Sequence, residues 1–336
     1  MGQAALSEGL RAVEAAIAAG QAEHALELCQ QLQTRYPRSL HVQRVLGEAY
    51  LALRKPREAL GALDRAIAGN PEDARAYCAR AIVQQIQGDP SAALLWYRRA
   101  CDLTPDDRVL RSAYGELAHH LGQPPYSPTR AGLARLYLRG DLFEHAIREW
   151  EGLLAEQPDL LEAQLGLAES LWRAGRAAAA GERCQRILAN VPSCVKALLI
   201  LAAVEHDAGN DDDAEPLIRR AAELDPEARI GQILFADRFA SGDAALRALL
   251  AGEPRVARTS GVPARGPSGR DAVRSQPVRR SGSPAAPAPR QSVLPADFHT
   301  IFAETEYMLW GREDEDATAA MPAPPSGPAA PAMPAA

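Results

Sequence analysis

Prolines fall at positions 37, 71 and 105, and again at 158, 192 and 226, each 34 residues from the last within its group. Other positions keep the same interval. Twelve residues before each proline stands an alanine: Ala25, Ala59, Ala93, Ala146, Ala180 and Ala214. Eight before it stands a bulky or sulfur-bearing residue, namely Cys29, Leu63, Tyr97, Trp150, Cys184 or Ile218. Five before it comes Leu32, Ala66, Ala100, Leu153, Ile187 or Ala221. The alanine lets two helices approach closely, the residue four places on fills the gap between them, and the proline ends the second helix. A unit this short cannot bury its own apolar face. Copies must stack, and the chain is expected to form an all-α solenoid.

The clearest copy runs LHVQRVLGEAYLALRKPREALGALDRAIAGNP from Leu40 to Pro71. Leu46-Gly47, Tyr50, Ala59, Leu63, Ala66 and Pro71 occupy the offsets of a 34-residue helix–turn–helix. On these residues the chain resembles the tetratricopeptide repeat (TPR) family, in its bacterial multi-repeat type. The resemblance implies a right-handed α-α superhelix whose first helices line a concave, peptide-binding groove. Carried onto this sequence, the family's inward offsets give Arg44, Glu48, Arg75, Cys78 and Ile82 in the first half. In the second half they give Arg135, Leu165, Glu169, Trp172, Leu199 and His206. Trp172, near a first-helix end, suits either an anchor for a ligand or packing on the neighbouring repeat. The chaperone-binding subgroup clamps a terminal carboxylate with Lys and Asn at set offsets. Here Leu10 and Glu14 stand at those offsets in the first repeat, which disfavours that subgroup.

The interval from Pro105 to Pro158 is 53 residues, one repeat plus 19. Within it, Arg108–Leu121 starts another first helix, and GQPPYSP from Gly122 to Pro128 interrupts it. The expected organisation is therefore two blocks of three repeats with capping helices, over residues 6–121 and 127–252. Arg229–Ala240 reads as a single helix after the sixth repeat, and Asp243–Ala251 as a short further one. In repeat four the turn glycine, Gly140, lies one place early, which predicts a distorted turn there.

Beyond residue 252 the composition changes. Residues 253–293 are rich in Arg, Pro, Ser and Gly, and read as a disordered linker. Residues 312–336 read as a disordered acidic, then Pro/Ala-rich tail. Between them lies LPADFHTIFAETEYMLWG, 294–311, in which Phe298, Ile301, Phe302, Leu309 and Trp310 give an amphipathic, aromatic motif. A helix this short is marginal alone, so on a tether it is expected to dock into a groove, in cis or on a second protein. Charge is segregated in step: residues 1–254 carry −7, 255–292 carry +7 and 293–316 carry −6. Opposite blocks invite attraction within the chain or to a partner.

Little points to chemistry. His119 and His120 are adjacent and do not share a helix face, and the Asn210–Asp213 run lacks the glycine and glutamate of a calcium loop. No phosphate-binding loop or nucleophile motif is present, so no cofactor, metal or catalytic residue is expected. Five cysteines without a CxxC pattern read as buried thiols. Only Lys55 and Lys196 are lysine among 37 basic residues. Eight arginines spread through the linker lack interleaved aromatics, which disfavours nucleic acid. With no leader and no span of 18 apolar residues, the chain is expected to be cytoplasmic. The function expected is a non-enzymatic interaction scaffold that binds a peptide or helical segment of another protein. The alternative is an accessory subunit of an enzyme system such as a glycosyltransferase or peptidase complex.

Overall fold

Each 34-residue unit folds as two helices packed against each other. In the computed structural model, the first three pairs are α1 (Gly2–Ala18) with α2 (Ala22–Arg35), α3 (Leu40–Ala52) with α4 (Pro56–Gly69), and α5 (Ala74–Ile86) with α6 (Pro90–Leu103). A single helix, α7 (Arg108–His120), follows. Three more pairs succeed it: α8 (Arg130–Arg139) with α9 (Phe143–Glu156), α10 (Leu161–Arg173) with α11 (Ala177–Asn190), and α12 (Val195–Asp207) with α13 (Asp211–Leu224). Two short helices, α14 (Arg229–Leu234) and α15 (Ala236–Ala240), end the array. The described residues are 2–240, 242, 243 and 246, and they contain no strand. The linker 253–293, the motif 294–311 with Phe298, Ile301, Phe302, Leu309 and Trp310, and the tail 312–336 lie outside them, as does most of Asp243–Ala251.

The repeat positions carry the packing. All six alanines twelve residues before the prolines are fully buried, and Trp150 and Tyr97 are the largest buried side chains of the array. Gly47 and Gly166 let first helices close onto Leu63 and onto the Trp150 ring, where a Cβ would collide. In the first block the residue two after each proline caps the next helix. Ser39 accepts from Val42 N at 3.4 Å, Asp73 from Ala76 N at 3.1 Å, and Asp107 from Leu110 N at 3.1 Å.

The inter-helix turns also keep the interval. Gly20, Gly88, Gly122, Gly175 and Gly209 adopt positive φ, and so do Arg54 (56°) and Asp141 (57°) at the equivalent places. Gly140 does not displace the turn. It sits at φ −93°, and Asp141 takes the left-handed position in its stead. Stacking evidently holds each helix pair at its spacing whether or not glycine is available. The expected continuous helix over Arg229–Ala240 is instead broken at Phe235 (φ −105°, ψ 16°). There the ring turns inward to 1% exposure, and the Leu234 carbonyl accepts from Arg173 Nη2 at 3.5 Å.

The array branches at α6. Both α7 and α8 pack on it, so the second block grows from the flank of the first. The crossing segment is pinned by one carboxylate: Asp102 accepts from Tyr126 Oη at 2.9 Å, Thr129 N at 3.1 Å and Thr129 Oγ1 at 2.5 Å. Gly132 passes so close to Asp102 that a Cβ would strike it. From this joint the second block returns to the first. Glu227, after α13, accepts from Ser7 on α1, and its Oε2 lies 2.8 Å from His41 Nδ1 on α3. Leu40 belongs to the core of the second block.

Candidate interaction site

Side chains at the family's inward offsets of the first helices, with their neighbours, form a ladder of opposite charges. In the first block, Arg44 Nη1 meets Glu48 Oε1 at 2.5 Å, and Arg75 bridges Glu48 Oε2 at 3.1 Å and Glu14 Oε1 at 2.8 Å. Asp73 lies 3.5 Å from Arg44 Nε. Arg44 and Glu48 are buried, at 4% and 2% exposure. Burial opposes the Arg44 charge, yet Glu48, Asp73 and Glu14 outweigh it and hold its pKa above the ordinary value. Glu14 is likewise resisted by burial but kept below the usual carboxylate range by Arg75 and Arg44.

The second block repeats the device. Arg135 pairs with Glu162 at 2.5 Å, and Arg173 Nε with Glu169 at 2.9 Å. Lys196, from the start of α12, joins the blocks. Its ammonium meets Glu169 of α10 and, at 2.6 Å, Glu72 from the turn between α4 and α5. Lys196 is 7% exposed, and although burial disfavours its charge, the two carboxylates raise its pKa.

The family offsets therefore lead to several environments. Arg44, Glu48 and Arg75 are brought into one network, while Arg135 and Glu169 sit in separate ion pairs of the second block. Cys78 and Ile82 lie in the core of the first block, Leu165 and Leu199 in that of the second. Trp172 is half-buried and packs edge-on against Phe235, with ring centroids 5.6 Å apart. His206 is half-buried, with Nδ1 2.5 Å from Asp211 Oδ1. Reachable parts remain at the edges: the Glu14 and Arg75 side chains at 32% and 23%, and Arg173 at 22% beside Trp172.

Sequence reasoning missed the residues that close the array, namely Ser7, His41, Glu72, Lys196, Glu223 and Glu227. One signal was present. Lys196 is one of only two lysines in a chain that otherwise uses arginine, and it fills a place where two carboxylates converge on a compact ammonium.

Where the ends meet, a cleft of about 560 Å³ opens between Gln33, Pro37, Arg38, Leu40, Gln43, Arg65 and Ala68 of the first block and Pro192, Ser193, Arg220, Glu223 and Leu224 of the second. Arg38 Nη1 crosses it to Glu223 at 2.6 Å. The five thiols have no such opening. Burial pushes Cys29, Cys101 and Cys184 up to about 12 and Cys194 to about 11. Among the described residues no His, Cys, Asp and Glu side chains cluster as a metal site, and no helix is long and apolar enough to cross a membrane.

Comparison with known proteins bears on the repeat. The tetratricopeptide repeat profile matches residues 44–108, 132–193 and 182–229. An uncharacterized protein of Sinorhizobium fredii, y4yS, is 35% identical over 65 residues, which is 19% of this chain and 36% of that relative. A tetratricopeptide repeat protein from Parabacteroides merdae is similar over 73% of this chain and 83% of its own, at 12% identity and a TM-score of 0.31. The TPR2AB domain of yeast Sti1, solved as a complex with pHSP90, is similar over 74% of this chain and 98% of its own, at 12% identity and a TM-score of 0.32.

Proposed function

Because the chain belongs to the tetratricopeptide repeat family, we propose that it is a non-enzymatic scaffold that binds a peptide or helical segment of another protein along the edges of its inner wall. The 294–311 motif serves as a tethered docking element. One observation supports the reading: the most buried charged side chains at the family's inward offsets are matched, and those around them stay accessible. On the floor, Arg44, Glu48, Arg135 and Glu169 are occupied by one another or by neighbouring charges. At the edges, Arg75 with Glu14, Trp172 with Arg173, and His206 remain reachable. A floor whose charges are already matched has little attraction for a free carboxylate terminus. It suits a ligand that brings apolar anchors and a few hydrogen bonds. Buried thiols with raised pKa values, and carboxylates committed to ion pairs, support a binding role over a catalytic one.

The test is quantitative binding by the full chain to a partner captured from the source cells and then purified. Arg75→Glu and His206→Glu should each weaken binding about tenfold or more, the range of an interface hot spot. Arg186→Glu, on the outer surface of α11, should leave it unchanged. Equal affinity across all three variants would exclude the inner wall as the ligand surface.

A further inference from the structure

The seam cleft carries charge that the fold does not neutralise. Three arginines reach it against one glutamate. Arg38 is met by Glu223, whereas Arg65 donates from Nε to the neutral Gln43 amide at 2.9 Å and Arg220 is exposed at the mouth. Its floor is apolar, with Leu40 and Leu224 from opposite blocks and Pro37 and Pro192 beside them. An arginine-rimmed apolar cleft fits an acidic amphipathic segment.

The chain contains one. Residues 297–316 combine Phe298, Ile301, Phe302, Leu309 and Trp310 with seven carboxylates and a single arginine, Arg312. The tether permits contact. Between Leu246 and Phe298 lie 52 residue steps, a contour of up to about 170–190 Å, so chain length does not keep the segment from the cleft.

We propose that the seam cleft is the docking site of the chain's own 297–316 segment, its aromatics on the Leu40–Leu224 floor and its carboxylates toward Arg38, Arg65 and Arg220. The proposal rests on reading 294–311 as a docking motif and fixes its receptor. A segment so bound touches both blocks at once.

The experiment is photo-crosslinking in the full-length protein with p-benzoylphenylalanine placed at Phe302. The expected products join position 302 to residues 37–43, 65–68, 192–193 or 220–224 of the same chain, with a yield unchanged by dilution. Arg65→Glu with Arg220→Glu should lower that yield about fivefold, the scale of two exposed charge pairs. Adding Glu304→Arg and Glu306→Arg should restore it. Arg65 and Arg220 are exposed, Glu304 and Glu306 belong to the docking segment, and a helical spectrum checks that the array remains folded. Crosslinks to another face, no crosslinks, or crosslinks between isotopically distinct copies in a mixed sample would each overturn the proposal. None of those outcomes touches the binding of a separate partner along the inner wall, which the Arg75 and His206 variants test independently.

Discussion

Lys196 Nζ lies 2.6 Å from Glu72 Oε2, joining residues 124 positions apart, and the same ammonium meets Glu169. This contact ties the turn between α4 and α5 to the sixth repeat. Replacing Lys196 with methionine would leave the buried Glu169 carboxylate facing Glu72, whose side chain is 31% exposed. The cost should be about 2–3 kcal/mol, below the full range for breaking a buried ion pair because Glu72 reaches water, read from denaturant unfolding of the full chain. Combining Lys196→Met with Glu72→Gln and Glu169→Gln should recover much of it.

The crossing segment offers a second check. Asp102 is the common acceptor for Tyr126 and Thr129, so Asp102→Ala removes the pin that directs the second block from the flank of α6. Amide exchange should accelerate across residues 123–132, with a loss of about 2 kcal/mol in stability for several hydrogen bonds to one charged group. Exchange in α10–α13 should change little.

Left-handed turn residues predict a gain. Arg54 holds φ 56° where the equivalent positions use glycine, a conformation costing a side chain roughly 1–2 kcal/mol. Arg54→Gly should raise stability by about 0.5–1 kcal/mol after the added freedom of the unfolded chain is subtracted. Asp141→Gly should gain less, because aspartate tolerates that region better. Thermal melts would resolve the order.

The contact between His41 and Glu227 makes closure sensitive to acid. Burial alone would raise the Glu227 carboxyl, but hydrogen bonds from His41 and Ser7 and the charge of Arg229 hold it at about 2. Burial, helped by Arg44 and Arg229, pushes His41 below its ordinary value against the pull of Glu227. Both groups bind protons more readily when unfolded. Stability from Glu227 is present above the ordinary 4.5 and is lost as pH falls toward 2, while His41 adds a loss that begins below 6.5. Melting temperature should fall with acid across both windows, and Glu227→Gln should flatten the lower one.

The thiols should be silent in the native protein. With Cys29, Cys101 and Cys184 buried and raised to about 12, a thiol reagent at neutral pH should modify none of the five cysteines within minutes, and all five in denaturant. Rapid native modification would indicate that the array opens on that timescale.

The six helix pairs were legible because their packing is local. The Ala–bulky–apolar–Pro pattern records contacts within a repeat and with its neighbour, and such contacts recur at one interval. That Arg44, Glu48 and Arg75 come from neighbouring first helices was readable for the same reason. Their mutual pairing was not, since periodicity gives a face and says nothing about what already occupies it. The seam lay further from view. It depends on the path of all six repeats and on the branch at α6. Ser7 and His41 stand 34 residues apart at one repeat offset but share no side-chain type, and Glu227 follows the last repeat proline, so the interval does not mark them as partners. Phe235 misled in the opposite sense: an apolar residue within a helical pattern turned out to break the helix in order to bury its own ring.

A solenoid with open ends can gain or lose units over evolutionary time, because the last unit always offers the same face to the next. Here that freedom is gone. The stretch that would lead into a seventh unit is already engaged by Ser7 and His41, which belong to the first and second. Repeat number is therefore a fixed property of this architecture. Deleting an internal unit would do more than shorten it: the charges on α12 and on the turn before α5 would no longer arrive at the same point. Copy-number change should be the variation that this chain tolerates least.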